Sequence, residues 1–285
     1  MRRTNCPVCA SRLFACRQTW RFMCDKCGYE GSDLEPTINA PGAHALIDEQ
    51  AREIGLKKLR MHNFSTLVEV IGELRPAGGK LLDVGAAHGW FLEAAQERFE
   101  VLGVEPDLAV YESTARRGLP VRNGFFPDVM EMSEKVDVIA FNDVIEHIPD
   151  IDRILSACRE HLTDNGLLLI NLPSSDGIFY KVAKFLSVMG ITSFLGRLWQ
   201  MDLPSPHVHY FDLGNLETIL KKHAFVSRRS GQLPTLRLAG LWTRISYTGN
   251  YSVAKRGFLF LIIATAIPFL KLLPSDIIYV VAERS

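Results

Sequence analysis

The sequence lacks both a net charge and a signal-peptide pattern, and each absence narrows the classes of function. Its 285 residues carry 32 Lys and Arg against 32 Asp and Glu, so the overall charge gives no argument for nucleic acid or another strongly charged partner. The N-terminal stretch MRRTNCPVCA has no apolar core, and we expect the chain to be made and kept in the cytoplasm. Because thiols stay reduced there, the six cysteines favour metal binding over disulfides.

Acidic residues are missing from a long part of the C-terminal third. From Thr218 to Ser275 there are nine Lys or Arg and no Asp or Glu. The apolar run from Gly257 to Leu270 lies between Arg256 and Lys271, and its fourteen residues are fewer than the roughly 20 that span a bilayer. We predict that residues 257–273 contact the inner face of a membrane peripherally. The alternatives are a buried core helix or a helix that covers a dimer face.

Four cysteines near the N-terminus have the spacing of a metal-binding module. Cys6 and Cys9 form one C-x-x-C pair, and Cys24 and Cys27 form a second pair after fourteen intervening residues. Two such pairs are typical of zinc ribbons, in which four thiolates close a tetrahedral site and leave no position for a substrate. We therefore predict a structural zinc ion bound within residues 1–33. The other two cysteines are interpreted as ordinary buried thiols.

The rest of the chain predicts an α/β domain without internal repeats. Residues 34–45 contain two prolines and turn residues and form a linker, and apolar residues at helical spacing begin a domain that we assign to 46–285. From Lys80 onwards apolar strands alternate with helices, which predicts a parallel sheet covered on both faces, and the segment DIIYVVAE supplies a last strand. Two insertions, at about 176–205 and 231–275, interrupt this alternation.

A glycine-containing loop and an acid indicate a cofactor site at the ends of these strands. The loop LLDVGAAHGWF places Asp83, Gly85, Ala87 and Gly89 between a strand and a helix, where backbone amides approach a ligand closely. Glu105 ends the next strand, where a carboxylate accepts hydrogen bonds from both hydroxyls of a ribose. A dinucleotide-binding oxidoreductase shares these features and is the alternative at this point.

The segment DVIEHI after the fourth strand is a methyltransferase pattern, and it completes a resemblance. From about residue 80 to 225 the chain resembles class I S-adenosylmethionine-dependent methyltransferases, in the branch of the ubiquinone-pathway O-methyltransferases. The resemblance implies a Rossmann-like sheet of seven strands with the last strand antiparallel. It aligns the loop with the family motif D-x-G-x-G-x-G, in which Ala87 replaces the middle glycine. It implies cofactor contacts by Asp83, Gly85, Ala87, Gly89, Glu105, Gly124, Phe125 and Asn142.

The stretch NDVIEHIPD concentrates ionisable residues at the end of the fourth strand. If a helix begins near Asp143, then Asp143 and His147 share one face, with Glu146 beside them. One interpretation is structural, with Asp143 as a helix cap and the others at the rim of the site. In a second, His147 is the general base for a hydroxyl acceptor. In a third, taken from methyltransferases with an E-x-x-E-H motif, the three residues hold Mg²⁺ together with His207 or His209.

The resemblance and the insertions together predict O-methylation at the membrane surface. The acceptor would be a small molecule, a lipid-linked or envelope sugar, or a quinone-like ring. A zinc-ribbon rRNA methyltransferase is one alternative, although residues 1–30 are only mildly basic, with six Lys or Arg against two acids. Nucleic acid is therefore the less favoured partner. A methyltransferase-like binding protein without activity is a second alternative, which Ala87 supports.

Overall fold

The structure, a computed structural model, describes residues 4–37, 49–247 and 251–285. Most of the predicted linker at 34–45 therefore lies outside the described residues. The strands are β1 (Phe14–Ala15), β2 (Arg21–Met23), β3 (Glu30–Ser32), β4 (Lys80–Val84), β5 (Glu100–Glu105), β6 (Val121–Asn123), β7 (Val136–Asn142), β8 (Leu162–Pro173), β9 (His209–Tyr210), β10 (Phe225–Leu233) and β11 (Ile277–Arg284). The helices are α1 (Glu49–Leu74), α2 (Trp90–Ala95), α3 (Leu108–Arg116), α4 (Ile151–His161), α5 (Ile178–Val188), α6 (Ser193–Leu198), α7 (Leu213–Lys222), α8 (Leu241–Tyr247) and α9 (Val253–Leu270).

The main sheet has seven strands in the order β10-β11-β8-β7-β4-β5-β6. The pairs among β4, β5, β6, β7 and β8 are parallel, whereas β11 runs antiparallel to both of its neighbours, β8 and β10. This confirms the predicted α/β fold, including the antiparallel last strand. The parallel strands end at one edge, called the carboxyl edge below. Leu233 at the end of β10 pairs with Ile277 at the start of β11, so both strands reach this edge as well.

Apolar helix faces cover the sheet on both sides, which is why its central strands are mostly apolar, whereas the edge strands β10 and β6 carry polar residues. On one side, Phe64, Leu67 and Ile71 of α1 pack with Phe91 of α2 against the sheet. On the other side, side chains of α4 and α7 form a second buried cluster with the opposite strand faces. Full burial of a Leu or Ile contributes about 1.5–3 kcal/mol, so these contacts determine where the helices lie. The predicted first helix, with its apolar spacing, is confirmed as α1.

A second, smaller sheet joins the N-terminal segment to the main domain. Its order is β1-β2-β3-β9, and β9 comes from the chain between α6 and α7. We call residues 4–37 the cysteine module. Phe22 and Tyr29 of this module belong to the same buried cluster as α4 and α7. The module therefore shares a sheet and a core with the rest of the protein.

The second insertion forms α8 and α9. The predicted apolar run lies in α9, which begins four residues before Gly257, at Val253. By length and composition alone α9 could cross a membrane, with a mean hydropathy of 1.8 over 18 residues. Among its residues only Ile267 is buried. The alternative of a buried core helix is therefore wrong.

Candidate active site

A cavity of about 580 Å³ opens at the carboxyl edge, where β4, β5, β6 and β7 end. Two more distant segments complete its wall: Leu56 and Arg60 of α1, and Gln200 with 203–205 from the loop after α6. Of the residues singled out in the sequence, Gly85, Ala87, Glu105, Gly124, Phe125, Asn142, Asp143 and His147 line this cavity. Six of the eight predicted cofactor residues thus line one space, whereas Asp83 and Gly89 do not line it, and the loop after α6 supplies another part of its wall.

The loop after β4 turns through left-handed backbone conformations. Gly85, Ala87 and Gly89 have φ angles of +73°, +46° and +70°. A Cβ atom at Gly85 would lie 2.6 Å from Cγ2 of Val144, so only glycine keeps this approach open. Ala87 adopts its left-handed conformation at a cost of roughly 1 kcal/mol. Its N–H donates to Oε2 of Glu105 at 2.8 Å, which holds the turn in place.

Two buried acids lie behind and beside this loop. Glu105 accepts hydrogen bonds from the N–H groups of Ala87 and Asp107, at 2.8 and 2.9 Å, and burial raises the pKa of its carboxyl group. Each carboxylate oxygen keeps a second lone pair, so Glu105 can also accept from ribose hydroxyls. Asp83 accepts from Nδ2 of Asn142 at 3.1 Å, and burial raises the pKa of Asp83 to about 7. Asn142 lines the cavity, and its hydrogen bond to the buried Asp83 fixes the orientation of its side chain.

Asp143 caps no helix, which corrects the prediction for the chain after β7. Its φ is +55°, the first helical turn is a 3-10 helix at Ile145–His147, and α4 has Asp150 as its cap. The turn is fixed because the N–H of Asp143 donates to the carbonyl oxygen of Asn171 at 2.8 Å. The carboxylate of Asp143 instead forms an ion pair with Arg60 of α1 at 3.0 Å.

The structure brings Glu146, His147 and His207 together around the 3-10 helix, and of the three His147 lines the cavity. The N–H of Val208 donates to the carbonyl oxygen of Glu146 at 2.8 Å, and the two histidine rings lie 4.7 Å apart. One ligand atom from each of the three residues lies within 4.8 Å of the others, and Asp143 is not part of this group. The predicted partner of the acid and histidine is therefore His207 in this geometry.

Glu146 is an unusual member of this group. Its side chain is 1% exposed, and neither carboxylate oxygen has a hydrogen-bond partner among the described residues. Burial, followed by the nearby charge of Asp143, raises the pKa of Glu146 well above its ordinary value. A buried carboxyl group without a partner costs several kcal/mol, so it either stays protonated or meets a bound group.

His209, the other histidine candidate, has a different environment. Its Nδ1 lies 2.5 Å from the hydroxyl of Tyr29 in the cysteine module, and its Nε2 lies 3.0 Å from the carbonyl oxygen of Ile148. The ring is fully buried and does not belong to the described cavity wall. His209 therefore joins the cysteine module to the chain after β7.

Two parts of the site were not anticipated from the sequence. Arg60 comes from the first long helix and meets Asp143 across 83 positions of the chain, a pairing that no local motif indicates. The loop after α6 supplies Gln200, whose amide nitrogen lies 2.9 Å from Nε2 of His207. An amide or a basic residue in a helix or a loop gives no sequence signal of such a role.

The cysteine module supports this loop from outside. Trp20 packs edge-on against Trp199 with ring centroids 5.4 Å apart, and the hydroxyl of Ser32 donates to the carbonyl oxygen of His207 at 2.8 Å. The N–H of Thr37 donates to the carbonyl oxygen of Pro204 at 2.7 Å. One wall of the cavity therefore depends on the fold of the module.

The four predicted metal ligands of the module converge. The Sγ atoms of Cys6 and Cys27, and those of Cys9 and Cys24, lie 3.5 Å apart, and all four lie within 4.8 Å of one another. Thiolates at about 2.3 Å from a tetrahedral metal are about 3.8 Å apart, whereas a disulfide needs about 2.05 Å. Gly28 follows the second pair with a φ of +75°, as a tight knuckle requires. The four thiols fit a tetrahedral metal ion.

Comparison with known proteins identifies the chemistry of the main domain. A family model described as a methyltransferase domain matches residues 56–227, which is more than half of the chain. The chain belongs to this methyltransferase family. The protein has the class I fold, and S-adenosylmethionine is its cofactor, so the oxidoreductase alternative is wrong.

Individual relatives agree with this assignment but match only part of the methyltransferase. A ubiquinone biosynthesis O-methyltransferase from Azorhizobium caulinodans is 29% identical over 106 residues, which are 34% of this chain and 42% of the relative. A trans-aconitate 2-methyltransferase from Deinococcus radiodurans is 26% identical over 99 residues, or 34% and 38% of the two chains. The methyltransferase thus spans less than half the length of these curated relatives.

Solved structures resemble the methyltransferase over more of its length. An S-adenosylmethionine-dependent methyltransferase from Thermotoga maritima covers 85% of this chain and 97% of its own, with a TM-score of 0.56 and 12% identity. Magnesium protoporphyrin IX methyltransferase from Synechocystis, solved with bound S-adenosylhomocysteine, covers 81% and 86%, with a TM-score of 0.52 and 13% identity. At these identities the likeness shows the fold and leaves the acceptor open.

Proposed function

We propose that this methyltransferase methylates an oxygen atom of a small-molecule or lipid-linked acceptor, such as an envelope sugar or a quinone-like ring. The observation that carries the proposal is the group of Glu146, His147 and His207 beside the cavity that the cofactor residues line. A hydroxyl is a poor nucleophile until it loses its proton, so an O-methyltransferase benefits from a base at this position. The cofactor supplies an activated methyl group.

His147 is the proposed base. Its Nδ1 lies 3.0 Å from the carbonyl oxygen of Pro206, which can only accept, so Nδ1 carries the proton of the neutral ring. Nε2 then holds the lone pair and takes the proton of the acceptor hydroxyl. The acceptor oxygen forms a bond to the methyl carbon, and the carbon–sulfur bond breaks with its electron pair left on sulfur. Asn142 and Asp143 position the reacting groups at the end of β7.

A divalent ion is the second candidate for the same group, and the carboxyl group of Glu146 favours it. Its two oxygens are buried and have no hydrogen-bond partner among the described residues, and Oε1 lies 3.9 Å from Nε2 of His147, so the three side chains approach closely enough to share one ion. Glu146, His147 and His207 would be the ligands, and bound Mg²⁺ would acidify the acceptor hydroxyl. Two histidines are unusual for Mg²⁺, which prefers oxygen ligands, so the donor set fits Mn²⁺ better.

Substitution at His147 distinguishes the two roles. If His147 acts as the base, His147→Gln lowers turnover by roughly 10²–10⁴-fold, leaves calorimetric binding of S-adenosylmethionine unchanged, and removes the acidic limb of the pH–rate profile. Activity then survives chelation of loosely bound ions. Loss of activity on chelation, restored by Mn²⁺ or Mg²⁺, assigns the group to the ion instead. His223→Gln, on the far end of α7, is the matched control.

The acceptor class is tested by transfer of label from methyl-labelled S-adenosylmethionine to a cell extract. We expect the label in the lipid or small-molecule fraction, in an ether or ester bond to oxygen. Label in RNA would support the nucleic-acid alternative, and label on nitrogen or carbon would contradict O-methylation. Failure to bind S-adenosylmethionine in calorimetry would leave only a binding protein without activity.

The arrangement of the cysteine module disfavours RNA. Arg21 is buried and bonded to Glu30 at 2.5 Å, and Arg17 donates to the carbonyl oxygen of Val188 at 2.7 Å. Two of the module's cations therefore face the interior or α5.

We propose that the four thiolates hold zinc and that its role is structural, because four protein ligands leave no position for a substrate.

A further inference from the structure

The outer face of α5 is apolar and exposed, which is the reverse of an ordinary surface helix. Tyr180 and Ala183 point inwards, towards the cysteine module and α6. The opposite face carries Phe179, Val182, Phe185 and Met189, all exposed and spaced three or four residues apart. Phe185 is 66% exposed and Met189 is 64% exposed. Continuous apolar stripes of this kind indicate a surface that is covered in use.

Helix α9 presents a second exposed apolar face. Its inner side packs on α8 through Ile263 and Ile267. Phe258, Leu261 and Phe269 lie on its outer side, and Phe269 is 70% exposed. The chain continues with the exposed residues Leu272 and Leu273 before it returns to the sheet.

The start of α5 lies next to the end of α9. Phe179 at the start of α5 and Leu270 and Leu273 at the end of α9 line a common cavity of about 750 Å³. The N–H of Ile178 donates to the carbonyl oxygen of Pro274 at 3.1 Å, which ties the two segments together. Both segments adjoin the carboxyl edge, the edge at which the methyl-transfer cavity opens. We call the outer residues of α5 and α9 the apolar platform.

The charges around the platform have one sign along the second insertion. Lys255 and Arg256 lie in the first turn of α9, and Lys271 follows its end. No acid occurs from Thr218 to Ser275. Exposed Trp242 lies beside Phe260 of α9, and aromatic rings of this kind are enriched where a bilayer meets water. Apolar side chains surrounded by cations are complementary to a surface of anionic lipids.

The topology excludes a single membrane crossing by α9. The chain leaves the sheet at Leu233 and returns at Ile277, and these two residues are paired neighbours on adjacent strands. Among the residues described between them, α8 has seven residues and α9 is the one helix long enough to span. One crossing would place β11 on the opposite side of the bilayer from the sheet to which it belongs. The uncharged part of α9, fourteen residues, also reaches only about 21 Å.

We propose that the apolar platform docks the methyltransferase in the interface of an anionic lipid bilayer, without spanning it. Phe185, Met189, Leu261 and Phe269 enter the boundary between head groups and acyl chains, while Lys255 and Lys271 meet the lipid phosphates. Docking turns the carboxyl edge, and with it the cavity, towards the membrane. The consequence for lipid-linked acceptors rests on the proposed function, whereas docking itself does not.

The test is flotation of the whole protein with vesicles, in the absence of cofactor and acceptor. Vesicles of phosphatidylcholine alone are compared with vesicles that also contain phosphatidylglycerol, at low and high salt. We expect binding to the anionic vesicles that high salt or carbonate releases. The double variant Phe185→Ser and Phe269→Ser should weaken binding to the anionic vesicles by at least about tenfold for each side chain. The double variant Lys255→Glu and Lys271→Glu should weaken the same binding by at least about fivefold for each site.

Matched controls separate docking from folding and from general hydrophobicity. Met132→Ser removes an exposed apolar side chain outside the platform, and Lys80→Glu reverses a charge at the opposite edge of the sheet; both should bind as the wild type does. All variants should retain near-ultraviolet circular dichroism and calorimetric binding of S-adenosylmethionine. Because vesicle binding needs no acceptor, its failure is independent of the proposed reaction.

Three outcomes overturn the proposal. The first is a wild-type protein that stays in the aqueous fraction with both kinds of vesicle. The second is a protein that resists carbonate and needs detergent for release, which would mean a spanning helix. The third is a dimer in sedimentation that the platform variants convert to a monomer, while no vesicle binding occurs, since the platform would then be a subunit interface.

Discussion

Glu30 connects the cysteine module to the first insertion, and its removal provides a sharp test of this architecture. The carboxylate is 2% exposed and accepts from Arg21 at 2.5 Å, from the hydroxyl of Tyr180 at 2.7 Å and from Lys184 at 2.5 Å. Arg21 belongs to the module, and the other two residues lie on α5. We predict that Glu30→Ala detaches the module from α5.

The magnitude follows from the burial of the partners. Arg21 is 8% exposed, so loss of Glu30 leaves a buried cation unpaired, which costs about 3–5 kcal/mol of unfolding free energy. Tyr180→Phe removes one hydrogen bond to a charged acceptor and should cost about 1.5–3 kcal/mol. Lys184→Ala removes a partly exposed ion pair and should cost about 1 kcal/mol or less. The predicted order of destabilisation is Glu30→Ala, then Tyr180→Phe, then Lys184→Ala.

Urea unfolding followed by tryptophan fluorescence measures this order directly. Trp20 of the module and Trp199 at the end of α6 are in contact across the same interface, so their emission reports detachment. Exposed Glu35→Gln, in the same segment, is the control. If Glu30→Ala unfolds within about 0.5 kcal/mol of this control, the carboxylate does not hold the interface, and the reasoning fails. Because the module supports the loop after α6, the variant should also raise the acceptor KM with little effect on cofactor affinity.

Three further predictions concern the loop after β4, the buried Asp83 and the metal. Gly85→Ala and the control Gly118→Ala both place a side chain at positive φ, but only at Gly85 would the new Cβ atom meet Val144. Calorimetry should therefore show cofactor binding weakened roughly tenfold or more for Gly85→Ala and unchanged for Gly118→Ala. The raised pKa of Asp83, about 7, means that its contribution to stability is present below its ordinary 3.8 and is lost as pH rises through 7. We therefore expect the unfolding free energy of Asp83→Asn, relative to that of the wild type, to rise by up to roughly 4 kcal/mol between pH 4 and pH 8. Urea unfolding at both pH values measures this difference, and a difference that does not change with pH would contradict the prediction. Cys24→Ser should abolish bound zinc, measured as one ion per chain by elemental analysis, whereas Cys16→Ser should retain it.

The sheet and the cofactor loop were predictable because their signals are local. A strand buried on both faces must be apolar along its whole length, and a tight turn beside a ligand must use small residues, so β7 and Gly85 are visible in the sequence. The last strand was also predictable, because DIIYVVAE has the same apolar character. For these elements, composition over a few residues is enough to determine the structure.

The acceptor side was less predictable because its geometry depends on distant contacts. One interpretation of the sequence placed the start of a helix near Asp143, but the N–H of that residue donates to the carbonyl oxygen of Asn171 and its backbone lies in the left-handed region. His207 and His209 are two positions apart, yet one reaches Glu146 and the other reaches Tyr29 in the cysteine module. Alternation along an extended segment places residues two positions apart on the same side, so it does not separate these two histidines, and only the tertiary structure shows what each ring contacts.

Two parts of the chain outside the family match adjoin the acceptor side, although the side chains proposed to act on the acceptor lie inside the match. The match covers residues 56–227, and it omits the cysteine module and helix α9. The cofactor residues lie inside the match, so the family determines how the methyl group is held. The module supports the cavity wall at Pro204 from outside the match, and α9 forms half of the apolar platform. Acceptors of the curated relatives are therefore a weak guide to the acceptor of this protein. Chimaeras that exchange only the cysteine module and α9 should change the acceptor while leaving cofactor affinity unaltered.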